Sequence, residues 1–131
     1  MNESERTSQN WILTEESYLI RGACMEVSRV LGCGFLEEVY QEALEYELKL
    51  RNIPFVSQPK LRLEYKGHKL DQYYRPDFIC FGKIILELKS VEALTDRHKA
   101  QLLNYLKATH MKLGFLINFN VQPVEIRRFV S

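Results

Sequence analysis

The sequence predicts an α/β (α+β) domain in which helices flank a mixed β-sheet. Three observations support this class: helical apolar spacing before residue 52, strand-like runs between residues 55 and 89, and one amphipathic helix followed by two further strands. The predicted order is helix, helix, three or four strands, helix and two strands. A chain of 131 residues is long enough to bury its own core, so one domain over residues 13–131 is expected.

The first helix is predicted over residues 14–31, where Thr14 and two glutamates form a typical helix start. The Gly-Cys-Gly segment at 32–34 ends it. The polar residues 1–12 before it are expected to form a flexible tail. The apolar positions recur at steps of three and four: Ile20, Cys24, Val27 and Leu31.

The second helix is predicted over residues 35–51, and Asn52 and Pro54 end it. Its main apolar stripe is expected to be Leu36, Val39, Ala43, Tyr46 and Leu50. A neighbouring stripe consists of Tyr40, Leu44 and Leu48.

Strands are predicted along most of the remaining chain, at 55–65, 68–73, 75–81, 84–89, 113–118 and 124–130. Pro59 restricts the first of them to an edge or a bend. The apolar start of residues 84–89 favours a central position in the sheet. Thr95 and Asp96 open a helix that continues to about residue 108. Its expected core positions are Ala100, Leu103 and Leu106.

Composition excludes several classes of protein. The formal net charge is only +1, so any binding of nucleic acid must use a local basic patch. No apolar run approaches the roughly 18 residues of a membrane span, and no secretion signal is evident. The odd, widely spaced cysteines match no zinc spacing and favour a reducing cytoplasm. Cys24, Cys33 and Cys80 are expected as small buried side chains.

Three charged residues, Asp77, Glu87 and Lys89, accompany the apolar strand-like runs of the hairpin RPDFICFGKIILELK at residues 75–89. Glu87 and Lys89 are two apart, so they project from the same face of their strand, and Asp77 can lie across from Glu87 on the adjacent strand. Two neighbouring carboxylates repel unless a cation lies between them, and Mg²⁺ or Mn²⁺ prefers oxygen ligands. Beside such an ion Lys89 would orient or help deprotonate an attacking water. A turn-forming aspartate and a solvated ion pair remain the alternative.

Two helical patterns add polar groups to this hairpin. Glu37 is in line with Tyr40 and is therefore expected on or beside the buried side of its helix, where a carboxylate needs a partner. His98, Gln101 and Tyr105 form one stripe on the helix that follows the hairpin. An ion pair at the helix boundary and an ordinary amphipathic helix are the simpler interpretations of these patterns.

The hairpin residues resemble a known family. Pro76-Asp77 followed by Glu87-Leu88-Lys89 is similar to the signature of the PD-(D/E)XK nucleases. Each part of such a signature is short and degenerate, so further motifs are needed to make it specific.

Two further motifs appear in the expected order. Gly34-x-x-Glu37-x-x-Tyr40 resembles the motif of the GxxExxY proteins, a small bacterial and archaeal group placed in that superfamily. Gln101-x-x-x-Tyr105 resembles the motif that follows the catalytic lysine in RecB-like members.

This resemblance, over about residues 14–130, implies a restriction-endonuclease-like core and a set of roles. Asp77 and Glu87 would bind Mg²⁺ or Mn²⁺ together with the carbonyl oxygen of Leu88. Glu37 would contribute to the metal site directly or through water, and Lys89 would be the catalytic lysine.

Further residues are expected around these ligands. Gln101 and Tyr105 would support the site or contact a substrate phosphate. His98, Arg75 and Tyr40 are candidate substrate-binding residues. A basic rim is also expected near the site, formed by His68, Arg75, Lys83, Arg97, His98 and Lys99.

Two functions remain open at this point. One is a Mg²⁺-dependent nuclease acting on nucleic acid, most plausibly DNA. The other is a nuclease-like module that binds or assembles without turnover, in which the carboxylates hold a structural cation or pair with Lys89 and Arg75. A homodimer is a further option, with an interface drawn from apolar residues such as Trp11, Tyr73, Tyr74 and Phe119.

Overall fold

The computed structural model describes residues 12–131, so the predicted tail lies almost wholly outside the described residues. Within them the chain forms three helices: α1 (Thr14–Leu31), α2 (Glu37–Leu50) and α3 (Asp96–Thr109). The strands of the same part are β1 (Phe55–Ser57), β2 (Leu61–Tyr65), β3 (His68–Tyr74), β4 (Phe78–Cys80), β5 (Ile84–Lys89), β6 (Leu113–Asn118) and β7 (Glu125–Val130).

Five of these strands form one mixed sheet in the order β1-β4-β5-β6-β7. The β5–β6 pair is parallel and the other pairs are antiparallel. The apolar β5 is the central strand and β1 is at an edge, as the sequence predicts. β2 and β3 instead form a separate two-stranded hairpin next to the main sheet.

The two faces of the sheet pack against different helices. Buried side chains of α1 and α2 form one cluster with Leu86 and Leu88 of β5. On the other face Ile85 packs with Leu102 and Leu106 of α3. Because strand residues alternate in direction, Glu87 shares the α3 side with Ile85. The expected mixed sheet between helices is therefore confirmed.

α2 buries a different stripe from the one expected to dominate. Leu36, Tyr46 and Leu50 of the expected main stripe are 74%, 65% and 60% exposed. Periodicity defines both stripes equally well, and only the position of the sheet decides which of them is buried. The neighbouring stripe forms the core, with Tyr40, Leu44 and Leu48 fully buried.

The core face of α3 is also shifted from the expected one. Leu102 and Leu106 are fully buried, Leu103 is only partly buried, and Ala100 is exposed. The predicted start of this helix is confirmed, because Thr95 caps it and its hydroxyl accepts from the His98 N–H.

Helix α1 buries Ile20, Cys24 and Val27 as predicted, but Thr14 is its first residue rather than its cap. Cys24 and Cys80 are buried in the core, whereas Cys33 is exposed, so the expectation of three buried thiols is wrong for Cys33. Among residues 12–131 no helix is long and apolar enough to cross a membrane.

Candidate active site

The hairpin of β4 and β5 brings Asp77 and Glu87 together. Phe78 pairs with Leu86 in the antiparallel register, so Asp77, just before β4, lies beside Glu87. The Asp77 backbone N–H donates to Glu87 Oε1 at 3.2 Å, and the Leu88 N–H donates to Asp77 Oδ2 at 2.7 Å. β4 begins at Phe78, three residues later than predicted, so Asp77 lies just before the strand rather than within it.

Burial perturbs both carboxyl groups of the site. Burial, together with the charge of Asp77, raises the pKa of Glu87 to about 8. Burial also raises the pKa of Asp77, against the effects of the Leu88 N–H and the Lys89 charge, which lower it. The charge of Glu37 adds to the rise at both groups. The carboxylates are therefore costly to ionise together without a nearby cation.

Lys89 lies at the end of β5 on the same strand face as Glu87, as the sequence predicts. Its charge lowers the pKa of both carboxyl groups. Among the ion pairs within residues 12–131, none joins Lys89 or Arg75 to Asp77 or Glu87. The amine is therefore close enough to act electrostatically, and no carboxylate holds it in a salt bridge.

The donor set suits a hard divalent cation. Asp77 and Glu87 each use one oxygen in the hydrogen bonds to backbone N–H groups, which leaves their second oxygens outside those bonds. Mg²⁺ and Mn²⁺ prefer oxygen donors, and the charge of such an ion would offset the cost of ionising two carboxyl groups whose pKa values are raised.

Glu37 does not complete a tight cluster with the two carboxylates. No three acidic, histidine or cysteine side chains of residues 12–131 converge on one point. Glu37 is the first residue of α2 and is exposed, so it lies beside the buried side of the helix rather than on it. It lines a groove of about 330 Å³ together with Asp77 and Leu88, and a role through water stays a prediction.

The glycine and tyrosine of the GxxExxY pattern shape the loop before α2. Gly34 has φ of 99°, a conformation that side chains disfavour, and its N–H donates to Asn120 Oδ1. Tyr40 is fully buried, stacks on Phe119 and donates its hydroxyl to the Gly32 carbonyl at 2.6 Å. Tyr40 therefore has a structural role in this loop, and its expected substrate-binding role stays a prediction.

Helix α3 places the Gln-x-x-x-Tyr pair beside the carboxylates. Gln101 Nε2 donates to the Tyr105 hydroxyl at 3.0 Å, and the Tyr105 ring stacks on Tyr74 of β3. Burial, followed by the charge of Glu87, raises the pKa of Tyr105. Tyr105 therefore links α3 to the β2–β3 hairpin next to the carboxyl groups of the site.

The two remaining substrate candidates differ in position. His98 Nδ1 accepts from the Thr95 N–H as part of a capping box, and the His98 ring borders a groove that also contains Lys89. Arg75 precedes Asp77 in the chain, and its guanidinium carbon lies 5.8 Å from the centre of the Tyr73 ring in β3. A substrate role for either residue stays a prediction.

Two positioning residues were not found from the sequence. The Gln41 amide donates to the Asp77 carbonyl at 3.2 Å and to Ser57 Oγ at 3.1 Å, and so links α2 to the strand that carries Asp77. Asn118 is fully buried and bonds both the N–H and the carbonyl of Val91, which fixes the chain after Lys89. The available signals were a glutamine one turn after Glu37 and an asparagine ending an apolar strand.

The mixed sheet and the Asp–Glu–Lys hairpin define a protein of restriction-endonuclease-like fold. Residues 14–129 match the family model of the PD-(D/E)XK nuclease superfamily, and the chain belongs to that superfamily. The match spans nearly the whole chain and includes every candidate site residue.

One solved structure with a similar fold is the crystal structure of SSO0001, with a TM-score of 0.57 and 22% sequence identity. The match covers 72% of this chain and 50% of that chain, so this chain spans about half of its length. At this identity the likeness shows a shared fold alone. No curated protein matches the chain.

Proposed function

We propose that the protein is a Mg²⁺- or Mn²⁺-dependent nuclease that hydrolyses phosphodiester bonds, with DNA as the expected substrate. The observation that carries the proposal is the pair of carboxyl groups of Asp77, partly buried, and Glu87, buried, which are hydrogen-bonded through the hairpin backbone with Lys89 beside them. Membership of a nuclease superfamily supports the same chemistry.

Each site residue has a role in this proposal. Asp77, Glu87 and the Leu88 carbonyl would hold the metal ion, which supplies charge neutralisation at the phosphate and a more acidic bound water. Lys89 orients the attacking water or donates to a phosphate oxygen. Glu37 would contribute to the metal site directly or through water.

The supporting residues fix this geometry. The Gln101 amide donates a hydrogen bond to the Tyr105 hydroxyl. After burial, the charge of Glu87 is the next cause of the raised pKa of Tyr105. Gln41 fixes the backbone of Asp77. The local roles of Gly34 and Tyr40 support a finer placement among the GxxExxY proteins, and the Gln101–Tyr105 hydrogen bond supports a RecB-like motif.

The test is cleavage of labelled single- and double-stranded DNA and RNA by purified protein, with Mg²⁺, Mn²⁺ or EDTA. We expect metal-dependent cleavage that falls by roughly 10²-fold or more in Asp77→Asn and in Lys89→Ala. Asp77→Asn keeps an oxygen that can accept from the Leu88 N–H, so the fold is retained. Lys83 is exposed at the turn between β4 and β5, at the other end of β5 from Lys89, so its expected place in the basic rim of the site is wrong. Lys83→Ala is therefore the matched control.

Activity that survives both substitutions would rule out this site. Well-folded protein with no cleavage and no calorimetric binding of divalent cations would favour the alternative, a nuclease-like binding or assembly module.

The cellular setting and oligomeric state belong to the same proposal. Three free cysteines fit a reducing cytoplasm. A homodimer would place two sites on opposite strands of a duplex. Phe119 is fully buried and Tyr74 stacks on Tyr105, so neither of them supplies such an interface, whereas Tyr73 is 47% exposed. Trp11 lies outside the described residues. Sedimentation equilibrium would measure the state directly.

A further inference from the structure

We propose that one strand of nucleic acid binds along α3, from Lys89 to the β2–β3 hairpin. The proposal rests on the nuclease function above and names the side of the site from which the strand enters. We call this surface the basic track. It is formed by Lys66, Lys69, Lys89, Arg97, Lys107 and His110.

The first part of the track is a groove between the end of β5 and the first half of α3. It has a volume of about 510 Å³ and is lined by Lys89, Arg97 and His98 with the amides of Gln101 and Asn104. None of its lining residues within the described part of the chain is acidic. A groove of this composition suits a phosphate next to the one being cut.

The second part is a groove of about 600 Å³ between the second half of α3 and the hairpin. Lys66, Lys69, Lys107 and His110 line it, and Glu64 is the one carboxylate among the lining residues that the structure describes. Arg62 also borders this groove, but its guanidinium donates to the carbonyls of Leu70 and Lys69 and pairs with Asp71. Arg62 therefore holds the hairpin together rather than serving as a phosphate ligand.

The two grooves adjoin at Asn104, which lines both. Arg97, Gln101 and Asn104 follow at steps of four and three, so they lie on one face of α3. From Arg97 to Lys107 the helix rises about 15 Å. That length is sufficient for the helix to contact more than one phosphate of the same strand.

The opposite side of the site repels a polyanion. The groove of about 330 Å³ beside α2 is lined by Glu37, Glu38, Glu42 and Glu45 as well as Asp77. The net charge of +1 is therefore strongly polarised, acidic along α2 and basic along α3. Charge of this distribution steers a phosphate backbone to α3.

The placement of charge on the track favours a single strand over a duplex. Each of its grooves lies between α3 and one other element, β5 or the β2–β3 hairpin. The groove on the α2 side of the site is acidic, so the basic residues of the track match one phosphate backbone rather than two.

The experiment measures binding in EDTA, so that it does not depend on cleavage. Fluorescence anisotropy with a labelled oligothymidylate and a labelled blunt duplex compares wild type with Lys69→Glu/Lys107→Glu. The matched control is Arg21→Glu/Lys49→Glu, which makes the same charge change. Arg21 and Lys49 are exposed on α1 and α2, which pack on the face of the sheet opposite α3. Circular dichroism melts verify that both variants fold.

We expect wild type to bind the single strand more tightly than the duplex. The track variant should lose at least about ten-fold in affinity, and its salt slope should fall by about 1.4 for two lost phosphate contacts on a single strand. The control should bind as wild type does. Equal binding by the track variant and the control, no binding by wild type, or tighter binding of the duplex would each overturn the proposal.

The outcomes separate this proposal from the nuclease function. Binding that depends on the track in a protein that cleaves nothing would support the track and refute the nuclease. Cleavage by wild type with unchanged binding in the track variant would support the nuclease and refute the track.

Discussion

At the scale of single residues, Glu87 sets the electrostatics of the candidate site. Its side chain is 7% exposed, and it accepts a hydrogen bond from the N–H of Asp77, whose charge opposes its ionisation. Burial is the largest cause of its raised pKa. Ionising Glu87 in the folded protein therefore costs free energy, and a bound cation would offset that cost.

Glu87 gives the metal-free protein a stability that falls with pH. Its pKa of about 8 in the folded state lies above the ordinary value of 4.5, so the folded state binds the proton more tightly. The contribution of this group to stability is therefore full below about pH 4.5 and is lost as pH rises to about 8. We expect a loss on the order of a few kcal/mol in urea unfolding in EDTA.

The Glu87→Gln variant isolates this effect. Its amide oxygen still accepts from the Asp77 N–H, but it does not ionise, so most of the slope between pH 4.5 and 8 should disappear. An unchanged slope would show that Glu87 ionises normally in the folded protein.

Tyr40 illustrates a motif residue with a structural role. Its hydroxyl, buried against Phe119, donates to the Gly32 carbonyl at 2.6 Å and so closes the loop before α2. We expect Tyr40→Phe to lower the free energy of unfolding by about 1–2 kcal/mol, because the partly buried Gly32 carbonyl loses its hydrogen-bond donor.

Chemical denaturation of Tyr40→Phe measures that loss, with Tyr46→Phe as the control because Tyr46 is 65% exposed on the same helix. A substrate role for Tyr40 would instead change the KM for nucleic acid without changing stability.

At the scale of elements, the packing of α3 against β6 positions the face of α3 that carries Tyr105. Gly114 of β6 faces α3, and a Cβ at this position would lie 2.9 Å from Leu102 Cδ1 and 3.3 Å from Leu106 Cδ2. Both leucines are fully buried, so they have little room to move aside.

We therefore expect Gly114→Ala to destabilise the fold by about 1–3 kcal/mol through overpacking. The second substitution Leu102→Val removes part of the clash and should recover some of that loss in thermal or urea unfolding. A neutral Gly114→Ala would mean that α3 can move away from the sheet at little cost.

At the scale of the whole molecule, binding of a cation couples the site to global stability. A ligand that binds only the folded state stabilises it by RT ln(1 + [L]/Kd), which is about 2.7 kcal/mol at a hundred times Kd. We expect Mg²⁺ or Mn²⁺ to raise the melting temperature of wild type, most strongly near pH 8, where the carboxylates ionise most readily.

Asp77→Asn should lose most of this metal-dependent increase, whereas Lys83→Ala should keep it. Differential scanning fluorimetry with and without EDTA measures the shift. An equal increase in Asp77→Asn would place the bound ion elsewhere.

Sequence alone determined the residues that define the superfamily and most of the elements. The period-2 spacing of Glu87 and Lys89 and the short turn before β5 require these residues to meet Asp77, because strand geometry is local. The helical spacing of Gln101 and Tyr105 likewise places them on one face of α3. These predictions depend on neighbours along the chain, and the structure bears out the geometry they describe.

Only the tertiary structure decided which of two stripes on α2 is buried, that Glu37 is exposed and that β2–β3 leaves the main sheet. It also decided that Tyr40 closes a loop and that Gln41 and Asn118 hold the site backbone. The tertiary structure also decided the separation of the acidic and basic grooves, because a net charge of +1 does not show how the charges are distributed. The reason is physical, since burial, hydrogen-bond partners and surface charge depend on residues that are distant in sequence and meet only when the sheet and helices pack.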